Sequence, residues 1–94
     1  MDVRWSPEAA GDLENIVNYI RQENSAAAQR IGRAIYEAAG SLTGFPNRGR
    51  PGRVDGTREL ILPSLPFIVV YRVAEAAVEI VDVIHGAQRW PPEV

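Results

Sequence analysis

Apolar positions recur along this chain first at helical and then at strand spacing. Val3 and Trp5 alternate with Arg4, which predicts a short opening strand over Asp2 to Trp5. Ser6-Pro7 follows as a helix start. Serine can cap free backbone N–H groups, proline fits the first helical position, and Glu8 and Asp12 lie near the positive end of the dipole. Ala9, Leu13, Ile16, Val17 and Ile20 then form one apolar stripe, with Asp12, Glu14, Asn15 and Asn18 facing away. This helix is expected to end near Glu23 and Asn24. Ser25 is the expected cap of a second helix, whose stripe runs through Ala27, Ala28, Ile31, Ala34, Ile35, Ala38 and Leu42. A turn this short between two amphipathic helices implies an antiparallel hairpin.

Gly40, Gly44 and Pro46 end helical structure, and residues 44–57 read as a loop rich in glycine and proline. Loops of that length in a small domain usually carry function. The period then becomes two, with strands expected over 58–62, 67–73 and 78–85 joined by short turns, an antiparallel meander. Phe67 to Tyr71 is apolar on both faces, so this strand belongs at the sheet centre. If Val81 and Val83 face the core, Asp82 lies on the outer face with Ile80 and Ile84, paired with an arginine. Residues 86–94 form a tail containing Trp90-Pro91-Pro92. The order is β-α-α-β-β-β: an α+β fold with a helical hairpin packed on one face of a small, mainly antiparallel sheet.

Length sharpens this picture, because 94 residues make one domain and exclude a separate cofactor domain. With no cysteine and one histidine, thiolate metal sites, disulfide scaffolds and multi-histidine metal centres are excluded, and no metal or cofactor is expected. No apolar window approaches membrane-spanning length, so a cytoplasmic protein with no membrane partner is expected. Net charge is −2, yet all ten basic residues are arginine. Twelve alanines point to genomic composition as the origin of that habit, so placement carries the argument. Residues 41–60 hold four arginines and two acids, a local +2, whereas the segments on either side each sum to −2.

Arg48, Arg50, Arg53 and Arg58, with Arg72 and Arg89 further on, could therefore converge on the sheet or its rim. Such a patch suits phosphate contacts or an acidic protein segment, and equally a solvated loop. His85 is the one side chain that titrates near neutrality without perturbation, but catalysis needs partners, and a strand-end histidine bonded to a carbonyl is the plain alternative. Arg58 and Glu59 point to opposite faces and cannot pair with each other. Trp5 suits core packing, and Trp90 suits a stapled tail or an interface anchor. Paired-carboxylate, phosphate-loop, zinc and nucleophile-elbow patterns are absent from the sequence. The residues alone reach a binding module with a basic loop.

The whole chain resembles the RelE/ParE superfamily of toxins from bacterial type II toxin-antitoxin systems. The likeness rests on Trp5-Ser6-Pro7 followed by Ala10, Asp12, Leu13 and Ile16, on Tyr19-Ile20, and on Pro46 with Gly49-Arg50. It continues through Gly56-Thr57-Arg58-Glu59-Leu60, Pro66 to Arg72, Val83-Ile84-His85-Gly86 and Arg89-Trp90-Pro91. The resemblance implies a single toxin domain over residues 1–94, a cognate antitoxin partner, and one of two mechanisms. RelE-like members cut messenger RNA on the ribosome with basic residues plus a histidine, tyrosine or glutamate; here Arg50, Arg58 and His85 would be a reduced set. Phe67 and Ile68 stand where nuclease members tend to carry an arginine, there is no lysine, and no tyrosine follows His85. ParE-like members act on DNA gyrase by protein contact, and the 56–60 and 66–72 segments look closer to them. That reading makes Arg48, Arg50, Arg53, Arg58, Arg72, Arg89 and Trp90 the target or antitoxin surface, complementary to an acidic antitoxin, with no sequence-specific DNA binding. A nontoxic binding module is the third class.

Overall fold

A computed structural model describes residues 1–88, 90 and 91. Strand β1 (Asp2–Trp5) leads into helix α1 (Pro7–Arg21), and α2 (Ser25–Gly40) returns and ends in a 3-10 turn at Ser41–Thr43. Four strands follow: β2 (Arg50–Pro51), β3 (Arg58–Ile61), β4 (Phe67–Val73) and β5 (Ala77–His85). They form one sheet in the order β1-β5-β4-β3-β2, with every neighbouring pair antiparallel except β1 and β5. The apolar β4 occupies the centre, as its two-sided apolar pattern requires.

Local chemistry sets the boundaries. Ser6 Oγ accepts the Ala9 N–H at 3.0 Å, with Pro7 opening α1, and the same hydroxyl donates to the Val81 carbonyl at 3.1 Å. One side chain thus caps the helix and docks it on β5. The α2 cap is Asn24, not Ser25: its Oδ1 accepts the Ala27 N–H at 2.9 Å, and Ser25 is the first helical residue. Asparagine satisfies the orphan N–H as well as serine does, and the helix gains a residue. At Gly32 a Cβ would come within 2.8 Å of Val17 Cγ2, so this glycine sets how closely the two helices approach.

The sheet has two different faces. On the helix side, Leu60, Val69, Tyr71, Val78, Ile80 and Val83 pack with Ala9, Ile35 and Leu42 of the hairpin and the turn after it. The outer side holds a second, smaller cluster of Ile68, Val70, Ile84 and Trp90, with Val54 and Val81 against it. The loop and the tail therefore cover part of the outer face. A bulge at Val81 shifts the alternation of β5, because Val70 lies opposite Asp82 while the next β4 residue, Tyr71, lies opposite Ile80. This corrects the alternation read from sequence: Ile80 faces the hairpin core, Val81 faces outward, and Asp82 accepts from Trp90 Nε1 at 3.1 Å rather than from an arginine. No helix among the described residues is long and apolar enough to cross a membrane.

Candidate functional site

The arginine loop is organised around Glu59. This β3 residue is buried on the outer face opposite Val70, and its carboxylate is the point on which the loop closes. Arg50, directly across on β2, donates to Oε1 through Nη2 at 2.8 Å and Nε at 3.2 Å. The Arg53 N–H donates to Oε2 at 3.0 Å, and the Arg53 guanidinium stands 3.8 Å away. Burial alone would raise the Glu59 carboxyl pKa; the Arg53 N–H and the hydrogen bond and charge of Arg50 outweigh burial and hold it below its ordinary value. The segment expected to be an irregular loop thus contains a two-residue strand.

A second clamp works from the other face. Tyr71, fully buried, accepts the Gly49 N–H at 2.8 Å and donates to the Pro46 carbonyl at 2.7 Å. Any Cβ at Gly49 would meet the Tyr71 ring at 2.8 Å and the Glu59 carbonyl oxygen at 2.9 Å, so this approach requires glycine. Arg58 lies opposite Tyr71 and spends its donors on the Gly49 carbonyl at 3.0 Å and the Asn47 carbonyl at 2.9 Å. Arg48 reaches Ser41 Oγ at 2.9 Å. Arg72 pairs with Glu79 across β4 and β5 at 3.3 Å on the outer face. Each of these five arginines has a partner inside the fold. Arg50 and Arg53 still keep 49% and 43% of their side-chain surface exposed, leaving donors toward solvent. Trp90 is buried on the outer cluster, and Arg89 lies outside the described residues.

The reduced nuclease set does not converge. Arg50 shares the outer face with Glu59, while Arg58 and His85 lie opposite Tyr71 and Phe67, which pack toward the helices. Tyr71 and Phe67 are four residues apart on β4, and β3 and β5 flank it, so strand rise and spacing put the Arg58 and His85 backbones about 16 Å apart. His85 Nδ1 accepts the Ala87 N–H at 3.1 Å, and its ring meets the Phe67 ring edge-on. The backbone partner is thus an amide donor rather than a carbonyl.

Two features escaped sequence reading. Phe45 is 68% exposed and lines an open hollow with Pro46 and Arg48 at the start of the loop; its signal is an aromatic residue isolated between Gly44 and Pro46. At the β5 edge, Asp12 Oδ2 accepts the Val83 N–H at 3.0 Å. Burial, together with a hydrogen bond to Asp82 and the negative charges of Asp82 and Glu8, raises the Asp12 carboxyl to about 6 against the opposing pull of Val83 N–H. Among the described residues no group of three or more metal-ligating side chains assembles.

The geometry defines a class: a small α+β protein with a helical hairpin on one face of a five-stranded sheet and an arginine-bearing loop closed on a buried glutamate. A family model described as the ParE toxin of type II toxin-antitoxin systems, parDE, matches residues 3–90. The chain belongs to that family. Toxin Y4kP of Sinorhizobium fredii is 40% identical over 89 residues, covering 95% of this chain and 92% of that protein. Toxin RelE2 of Caulobacter vibrioides is 38% identical over 86 residues, covering 92% and 96%. Among solved structures, a chromosomal ParDE toxin-antitoxin system from P. aeruginosa superposes with a TM-score of 0.85 at 28% identity, over 90% of this chain and 95% of that one. The RelBE2 toxin-antitoxin complex of Mycobacterium tuberculosis gives 0.66 at 27% identity, over 89% and 95%. The fold and superfamily expected from sequence are those observed.

Proposed function

We propose that this toxin arrests growth by binding DNA gyrase through protein contact, without cutting RNA, and that a cognate antitoxin neutralises it. The observation that carries the reading is the dispersal of Arg50, Arg58 and His85. Cleavage at a ribose 2′-OH needs a base, an acid and a cation around one phosphate, within hydrogen-bond reach of the reacting atoms. Here the backbones of Arg58 and His85 lie about 16 Å apart, and Arg58 is committed to loop carbonyls. The superposition with the ParDE structure, better than that with RelBE2, points the same way.

The contact surface in this reading is the loop: exposed Phe45 as an apolar anchor beside the outward edges of Arg48, Arg50 and Arg53. Arg72 borders the same outer face; Trp90, expected on this surface, is instead packed beneath it with its Nε1 held by Asp82, and Arg89 lies outside the described residues. Inducing the chain without an antitoxin is expected to stop growth while transcripts stay intact. Cleaved messenger ends in a translating extract would favour the RelE-like alternative instead.

A further inference from the structure

We propose that two copies of this chain pair along their β1 strands, antiparallel about a two-fold axis at Val3, and so extend the five-stranded sheet into one of ten. The pairing goes beyond the growth-arrest reading and does not depend on which target the toxin meets.

An open sheet has two edges, and here they differ. The β2 edge is two residues long and one of them is Pro51, which has no N–H to offer a neighbour. The β1 edge runs over Asp2–Trp5 with no proline, glycine or bulge. Its phase is set by the Ser6 N–H, which donates to the Ile80 carbonyl at 3.0 Å next to the parallel pairing with β5. Asp2 and Arg4 therefore turn their backbone groups toward β5, and Val3 and Trp5 turn theirs away from the sheet. Among the described residues, no backbone group beyond the sheet bonds to Val3 or Trp5. The safeguard left on this edge is its charge, and the two charges are of opposite sign.

Those charges select the partner and the register. Only outward-facing backbone can bond across, so Val3 must meet residue 1, 3 or 5 of an antiparallel second copy. Setting Val3 against the partner's Met1 puts Asp2 against Asp2, and setting it against the partner's Trp5 puts Arg4 against Arg4. Like charges directly opposite are destabilising. Setting Val3 against the partner's Val3 puts Asp2 opposite Arg4, and symmetry repeats the pair. Val3 then exchanges both backbone bonds with its counterpart, and the ion pairs fall at the positions where facing side chains stand closest. Both charges are available: Asp2 and Arg4 are exposed, and among the described residues neither has an opposite charge within 4.0 Å. Glu79, beside Arg4 on β5, is already paired with Arg72. On the other face Met1, 46% exposed, meets the partner's Trp5, whose ring stacks on Tyr36. An acidic antitoxin strand would gain at Arg4 and lose at Asp2, whereas a second copy matches both. The arginine loops lie at opposite ends of the ten strands, nine spacings or about 43 Å apart, and stay open to a target.

Sedimentation equilibrium of the purified full-length chain, untagged at its N-terminus, tests the pairing. Monomer and dimer are expected in exchange, weakly, because one short strand per copy buries less than about 1,200 Å². D2R and R4D each convert both ion pairs into like-charge pairs and should weaken self-association at least about fivefold. Mixing D2R with R4D restores both pairs, so the mixture should associate within about threefold of wild type. V3P removes the outward N–H at the axis but no bond to β5, and should abolish the dimer; thermal denaturation checks that each variant is folded. Wild type that stays monomeric up to about 0.5 mM, a concentration at which weak interfaces of this class assemble, overturns the proposal. So does a dimer that D2R, R4D and V3P leave unchanged, or a mixture no tighter than its components. Wild type that stays monomeric while V3P loses antitoxin binding gives the edge to the antitoxin and overturns the proposal as well.

Discussion

Replacing Glu59 by glutamine tests how the loop is built. The substitution preserves shape and an oxygen able to accept the Arg53 N–H, but removes the charge that Arg50 and Arg53 share. Breaking a buried ion pair costs about 3–5 kcal/mol when the charge left behind is also buried. Here the guanidiniums left behind are 49% and 43% exposed and can rehydrate, whereas the carboxylate is fully buried. The cost therefore falls to the weakened charge-assisted hydrogen bonds, about 2 kcal/mol. For a domain of 94 residues, that is a fall in Tm of about 8–16 °C at neutral pH. The pH dependence follows from the same carboxylate, whose native pKa lies below the ordinary 4.5. Its contribution is complete above the unfolded value and is lost as pH falls through the native value. Urea denaturation of wild type and E59Q between pH 7 and pH 3 should therefore give stability curves that converge toward acid. A difference below about 0.5 kcal/mol at pH 7, against the expected hydrogen-bond loss, or a gap that does not narrow toward pH 3, would refute the organising role of Glu59.

Other expectations follow from the same contacts. Tyr71→Phe strips the Gly49 N–H and Pro46 carbonyl of their partner and should cost about 1–3 kcal/mol in urea denaturation; a neutral result would mean that the hydroxyl does not hold the loop. Asp12 titrates at about 6 in the folded chain, above its unfolded value, so the stability it confers is present below about pH 4 and is lost as pH rises through 6. Asp12→Asn should remove that slope and leave the protein more stable at pH 7.5; an unchanged slope in thermal melts from pH 4 to 7.5 would exclude Asp12 as its cause. His85→Ala should retain full growth arrest on induction, since the ring touches Phe67 and the Ala87 amide rather than a reacting group; loss of arrest with the fold intact would point to the nuclease.

Much of the fold was legible because it rests on local rules. Ser6-Pro7 announced α1, the stripes of α1 and α2 announced the hairpin, and the two-sided apolar Phe67–Tyr71 run marked the central strand. What stayed hidden depends on distant partners. The parallel pairing of β1 with β5 joins Val3 to Val78, and nothing local to either segment encodes it. β2 is two residues long, one of them proline, and exists because Glu59 binds Arg50, a contact invisible to periodicity. The bulge at Val81 inverted the expected faces of Ile80 and Val81 because one extra residue shifts a period of two. The candidate site was legible as a concentration of charge but not as a surface: the sequence showed four arginines between 48 and 58, and only the structure showed that each has a partner in the fold.

The central claim is that this ParE-family toxin acts on gyrase by contact, and a supercoiling assay addresses it most directly. Purified chain, active in arresting growth, is added in excess to DNA gyrase, ATP and relaxed plasmid, with the antitoxin added in a parallel reaction. The account predicts blocked supercoiling or trapped cleaved plasmid, reversed by the antitoxin. Unimpaired supercoiling at toxin excess, with transcript cleavage in a translating extract fed the same preparation, would contradict it.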